Sequence, residues 1–322
     1  MFKVPEMHIL AHKNKSMKRK VIEGEVHHIY QKSRGGVVIF YSLRDYLVYF
    51  TIYCTLADKM DVTVLALCPM PDHLHSACRF QSQDQMAKFV QQYTRIFAKQ
   101  WNRSRHRRGS LIQERFGSAA KLGNKAVRTT INYNYNNPVE RKITQKAEDY
   151  RWNFLKYFRN RHPFSKPLDE SVASSKLRRA LQDVRAIYKK GEWVHYSQLD
   201  LWMNGLNSDE VQQLADYIIS TWNVIDYVGA ISYYGDYDAM IRSFHDNTGG
   251  EYEIREDKDN YSDAVYADCT QLLMSQGYIP SVREIPGLPF YRKLDLYKIL
   301  TARTAAKPSQ INKYLHLPVD VK

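Results

Sequence analysis

Apolar and polar positions begin to alternate at residues 22–32, where Ile22, Val26 and the aromatic Tyr30 share the even positions and predict a strand. Residues 41–60 carry Leu43, Leu47, Phe50, Ile52, Cys54 and Leu56, the content of a largely apolar helix. Residues 61–68 read as a buried β run through Val62, Val64, Leu65 and Leu67. Pro69-Met70-Pro71-Asp72 is turn chemistry, so 73–80 returns as the second strand of a hairpin. From 84 to 101, Met86, Phe89, Val90, Tyr93, Phe97 and Trp101 recur at three- and four-residue spacing, an amphipathic helix. Residues 110–121 supply a further strand, and Asn124 caps a short helix that Pro138 stops.

The order β-α-β-β-α-β-α predicts an α+β unit, an antiparallel sheet backed by helices, over residues 21–160. Residues 1–20, with Lys13, Lys15, Lys18, Arg19 and Lys20, read as a flexible basic arm, and 161–175 as a linker. Residues 176–322 form a mainly helical accessory domain. In it Ser208 caps a helix whose Val211, Leu214, Ile218 and Trp222 share a face, and 251–259 is an exposed acidic loop. Residues 294–317 outline a helix-turn-helix, although two ordinary helices fit the same pattern.

Composition changes this picture in one respect. Residues 1–160 hold 28 Lys and Arg against 12 Asp and Glu, and the remainder 19 against 22, so the excess positive charge of +13 belongs to the first half. Such a field attracts polyanions, nucleic acid first among them. With 44% hydrophobic residues the chain folds by burial. Its four cysteines, without paired spacing, point to reduced thiols and a cytoplasmic setting. No stretch has the length of a membrane span, so no membrane partner is expected.

Two features carry chemistry. In His73-Leu74-His75, side chains at i and i+2 of a strand share one face, so both imidazoles can reach one ion while Leu74 packs on the other side. Surface histidines without a ligand, a zinc site recruiting Cys68 or Cys78, and a histidine-motif phosphohydrolase are the alternatives. The second feature is Tyr133-Asn134-Tyr135-Asn136-Asn137-Pro138-Val139. Tyr133 and Asn137, four apart, project together on an exposed polar face of the helix, opposite Val127 and Ile131. A phenol ordinarily titrates near 10, so as a nucleophile Tyr133 needs a cation nearby. A metal held by two imidazoles and the Asn137 amide oxygen would answer that need.

Met70-Pro71-Asp72-His73-Leu74-His75, Gln113-Glu114-Arg115-Phe116 and Tyr133 to Val139 together resemble the single-tyrosine HUH transposases. The branch is the one associated with repetitive extragenic palindromes and related to the small insertion-sequence transposases. The likeness spans about residues 20–155. It implies a ferredoxin-like HUH domain that cuts single-stranded or hairpin DNA through a 5′-phosphotyrosine, with Mg²⁺ or Mn²⁺ as cofactor. By that resemblance His73, His75 and Asn137 are metal ligands and Tyr133 the nucleophile. Asp72, Asn134 and Tyr135 depart from the family's Asn, apolar residue and His. Tyr135 lies about 200° around the helix from Tyr133, which assigns it to packing.

Arg103, Arg105, Arg107, Arg108, Lys121, Lys125, Arg128, Arg141 and Lys142 are expected along the DNA backbone, each contact adding salt-sensitive affinity. Three other readings share parts of this pattern: a domesticated protein binding palindromic DNA, a non-catalytic DNA-binding regulator, and a replication-initiator or relaxase-type nickase. For the acidic second half, homodimerisation, substrate choice and binding of a host factor stand open.

Overall fold

The computed structural model describes residues 21–246 and 261–318. The basic arm expected over 1–20 and the acidic loop over 251–259 lie outside the described residues.

Strand β1 (Val26–Lys32) leads into helix α1 (Leu43–Lys59), then β2 (Thr63–Pro69) and β3 (His73–Arg79), helix α2 (Gln83–Ser104), β4 (Gly117–Lys121) and helix α3 (Gly123–Glu140). The sheet order is β2-β3-β1-β4 with every neighbour antiparallel, the ferredoxin-like arrangement of a split βαβ pair. Tyr30 of β1 stands opposite Gly117 of β4, and its ring fills the space a Cβ there would occupy.

Strand alternation divides the sheet between two helical layers. Ile29, Leu74 and Cys78 join the larger apolar cluster with α1 and α2. Val26, Ala66 and Ala77 join a second cluster with Val127, Ile131 and Tyr135 of α3. The expected α2 stripe is the buried one: Met86, Phe89, Val90, Tyr93, Phe97 and Trp101. Tyr93 and Trp101 are therefore core residues, bonded to Gln31 Oε1 at 2.6 Å and to the Ile39 carbonyl at 2.7 Å.

Beyond three short 3-10 turns follow α4 (Ser175–Lys189), α5 (Tyr196–Met203), α6 (Ser208–Trp222), α7 (Tyr227–Ile231), α8 (Tyr237–Asp246), α9 (Val265–Ser275), α10 (Phe290–Arg303) and α11 (Pro308–Leu315). They clasp both sides of the first unit. Helices α5 and α6 pack on α1, and α8 packs on α3. Leu177, Leu214 and Leu296 belong to the same cluster as Leu47 and Phe97. Helices α10 and α11 occupy the stretch expected to form a helix-turn-helix, and α11 buries Gln310, Ile311, Asn312, Tyr314 and Leu315 against the rest of the molecule.

Three local expectations are corrected. Helix α3 starts at Gly123 after Leu122, so Asn124 lies inside it, and it continues through Pro138 to Glu140. Asn207, not Ser208, caps α6: its Oδ1 accepts from the Glu210 amide at 2.9 Å while Glu210 accepts from the Asn207 amide. The largest correction concerns Arg105, which does not face DNA. It is 4% exposed and its guanidinium donates to Asp45 Oδ1 at 2.6 Å. That carboxylate also accepts from Tyr196 Oη at 2.6 Å and, through Oδ2, from the Tyr41 and Ser42 amides at 3.0 Å. The ion pair thus ties the start of α1 and the end of α2 to α5.

Removing one partner of a fully buried pair strands the other charge. Arg105→Ala is expected to destabilise the protein by about 3–5 kcal/mol in urea unfolding. A loss under 1 kcal/mol would contradict the placement.

Candidate active site

His73 and His75 lie on the α3-facing side of β3, opposite Lys32 and Tyr30 of β1. The two rings are 4.9 Å apart and perpendicular. Each ring has its Nδ1 engaged by the protein. His73 Nδ1 donates to Asp72 Oδ1 at 2.5 Å, and His75 Nδ1 shares a 3.1 Å hydrogen bond with Nε2 of His28 on β1. The carboxylate on His73 Nδ1 sets that ring's tautomer and leaves ligation to Nε2, the usual arrangement behind a metal-binding histidine, and His75 takes the same form when its Nδ1 donates to His28. Burial pushes His75 well below the ordinary imidazole value, helped by the charges of His73, His28, Lys32 and Arg141. Burial, with Lys121 nearby, takes His28 down to about 3. Neutral imidazole is the ligating form.

Helix α3 lies across these rings. The Tyr133 ring stands edge-on to His75 at 5.3 Å and to His28 at 5.5 Å. One turn on, Asn137 spends its Nδ2 on the Tyr133 carbonyl at 2.9 Å, which leaves its amide oxygen as the donor atom suited to a cation. The side chains therefore fit a divalent ion: two imidazoles, held from behind, and an amide oxygen on the stripe that faces them. Among the described residues no three His, Cys, Asp or Glu side chains converge as a metal site. Cys78 lies on the opposite face, its sulfur 3.2 Å from Tyr53 Oη, and Cys68 contacts Met70.

The expected exposed face of α3 is not found. Tyr133 is 1% and Asn137 3% exposed, because the sheet covers one side of the helix and the second half of the chain the other. Asn132 donates to Ser243 Oγ at 3.0 Å and Asn136 to the Phe244 carbonyl at 2.9 Å. Asn134 turns back on the Thr130 carbonyl. Tyr135 is fully buried, with its hydroxyl on the Leu65 carbonyl at 3.2 Å and its ring 5.2 Å from Phe244. Tyr133 is thus enclosed between α3 and β3.

Three contributors carried no usable sequence signal. His28 sits beside His27, with no periodicity to single it out. Asp263 and Lys313, far along the chain, arrive with α9 and α11. Lys313 Nζ is 3.6 Å from Asp72 Oδ2, and Arg141, two turns beyond Tyr133 on the α3 stripe, is 3.8 Å from Asp263 Oδ2. Burial would raise the Asp72 carboxyl, but the charge and hydrogen bond of His73, with Lys313 and Arg141, hold it below the ordinary carboxylate range. Burial and the neighbouring Asp72 push Asp263 up to about 6, against the pull of Arg141, His73 and Lys313.

The basic residues divide. Arg141 belongs to this site. Lys125, Arg128 and Lys142 are exposed on or just beyond α3, and Lys121 is half-buried at the end of β4. Arg103 and Arg108 are exposed at the far end of α2, where Arg107 bonds to Asn102 Oδ1 at 3.0 Å and lies 5.8 Å from the Trp101 ring.

Asp263 is expected to titrate near pH 6. Its unfolded value is about 4, so between about pH 4 and 6 the folded state keeps a proton the unfolded chain has lost. This group therefore subtracts stability as pH rises through that window. Arg141→Gln removes a stabilising cation and should move the midpoint above 6, read by carboxyl ¹³C NMR. A wild-type midpoint below 5 would contradict the burial argument.

Residues 14–156 match the model of a family described as transposase IS200 like. A solved structure described as the REP-associated tyrosine transposase bound to a REP hairpin aligns at 16% identity and a TM-score of 0.37, over 49% of this chain and 94% of that one. No curated protein matches. The matched residues carry β1 to α3 and the site between β3 and α3, so this part of the chain is similar to the IS200-like transposases.

Proposed function

We propose that the protein is a metal-dependent DNA transesterase that cuts single strands at hairpin-associated sites. The observation that carries the reading is the meeting of Tyr133 with the His73–His75 pair under one helix, with Asn137 on the same stripe. Tyr133 Oη attacks the phosphorus of a phosphodiester. The P–O3′ bond breaks, leaving a 5′-phosphotyrosine and a free 3′-hydroxyl. Attack of a 3′-hydroxyl on that linkage restores a phosphodiester and the phenol, so no nucleotide cofactor is consumed. A divalent ion, Mg²⁺ or Mn²⁺, held by His73, His75 and Asn137 would polarise the phosphate and offset its developing charge. Asp72 and His28 are positioning residues, because they hold the imidazoles from behind.

Residues 21–160 are the proposed nuclease unit and 176–322 the accessory unit joined through 161–175, a division of labour rather than of packing. Single-stranded or hairpin DNA is the partner, reached by the exposed Arg103, Arg108, Lys125, Arg128 and Lys142, with the half-buried Lys121 at their edge. The closed setting of Tyr133 favours one other reading, a non-catalytic DNA-binding protein of the same fold.

The full chain, incubated with single-stranded hairpin DNA and Mg²⁺ or Mn²⁺, is expected to give an adduct that survives denaturation. Tyr133→Phe should reduce it below about 1% of wild type, Tyr135→Phe should retain it, and EDTA should abolish it. An adduct undiminished in Tyr133→Phe would sink the nucleophile assignment. DNA binding that ignores EDTA, with no adduct in any variant, would support the non-catalytic reading.

A further inference from the structure

A cavity of about 570 Å³ lies at the seam between α2 and the start of α5, away from the tyrosine site. Helix α2 lines it with Lys99, Gln100 and Arg103, and the approach to α5 with Trp193 and His195. Its size falls in the range of small-ligand pockets.

Two donors of the lining lack acceptors. Gln100 Nε2 and Trp193 Nε1 are both sealed from solvent and have no hydrogen-bond partner among the described residues. A buried N–H left without an acceptor costs free energy, which a bound oxygen would recover. Lys99 and Arg103 are exposed and form no ion pair within the described residues. The carboxylate in the lining, Asp200, is already met by Arg44 at 3.0 Å and by both guanidinium nitrogens of Arg283 at 2.6 and 2.7 Å. The unspent charge of the cavity is positive. The rings of Trp193 and His195, 6.4 Å apart, add flat apolar faces beside those cations.

Cations, orphaned donors and aromatic faces together suit one ligand class, a phosphate linked to a flat heterocycle. We propose that this seam is a second DNA contact that holds one nucleotide of a single strand. Its base lies against Trp193 and His195, its phosphate meets Lys99 and Arg103, and its oxygens accept from Gln100 and Trp193. The choice of a strand over a free nucleotide rests on the reading of the protein as a single-strand enzyme. The seam would give the second half of the chain a part in substrate binding, since Trp193 and His195 come from outside the family match.

The test measures binding of fluorescein-labelled dT12 to the full chain by anisotropy at several salt concentrations, beside a blunt hairpin without a single-stranded flank. Trp193→Ala should weaken dT12 binding about tenfold, while Trp193→Phe, which keeps a ring, stays near wild type. Lys99→Gln should lower the log–log salt slope by about 0.7. Hairpin binding should not change in any of them. Equal dT12 affinity and salt slope in wild type, Trp193→Ala and Lys99→Gln would overturn the proposal. So would thymidine monophosphate binding as tightly as dT12, which would make the seam a free-nucleotide site. Thermal unfolding of each variant identifies a folding defect, and Trp193→Phe with Lys99→Gln then carries the comparison. The tyrosine adduct is scored separately: its absence in wild type defeats the catalytic reading while the dT12 series still decides the seam.

Discussion

Everything at the site depends on the position of β3 as an interior strand with helices on both faces. Its alternation sends Leu74 and Cys78 to the α1–α2 layer and His73 and His75 to the α3 layer. A one-residue slip would exchange the two sets, burying imidazoles among hydrocarbon and pointing Leu74 at the tyrosine. Pairing with β1 on one edge and β2 on the other prevents that slip, and it also delivers His28 behind His75. The same double coverage closes the site. Imidazoles under a helix are dry and oriented, which suits ligation.

The second half of the chain is joined to the first by polar contacts as well as by a shared core. Asp45 accepts from Arg105 and Tyr196, fastening α5 to the ends of α1 and α2. Ser243 and the Phe244 carbonyl hold the outer amides of α3. Lys313 and Asp263 then add one charge of each sign beside Asp72 and Arg141. The histidine side of the site lies within the residues that match the family model, while its electrostatic rim and the cover over α3 come from helices outside that match.

The fate of the arginines shows how far local pattern can mislead. Arg103, Arg105, Arg107 and Arg108 form one basic run, yet only Arg103 and Arg108 are exposed. Arg107 lies near Trp101, and Arg105 neutralises a carboxylate 60 positions earlier in the chain. A run of like charges reads as a solvated surface until the partner that buries one of them is known.

The sequence by itself determined the order of elements from β1 to α3, the buried stripe of α2, the shared face of His73 and His75, and the i to i+4 pairing of Tyr133 with Asn137. These depend on periodicities of 2 and 3.6, which are local properties of a chain. Only the tertiary structure decided what lies opposite those faces. It placed His28 behind His75, sank Tyr133 and Asn137 beneath the second half, turned Arg105 inward, and brought Asp263 and Lys313 to a site more than a hundred residues away. Each of these is set by contacts between segments distant in sequence, and no local period encodes which segments meet.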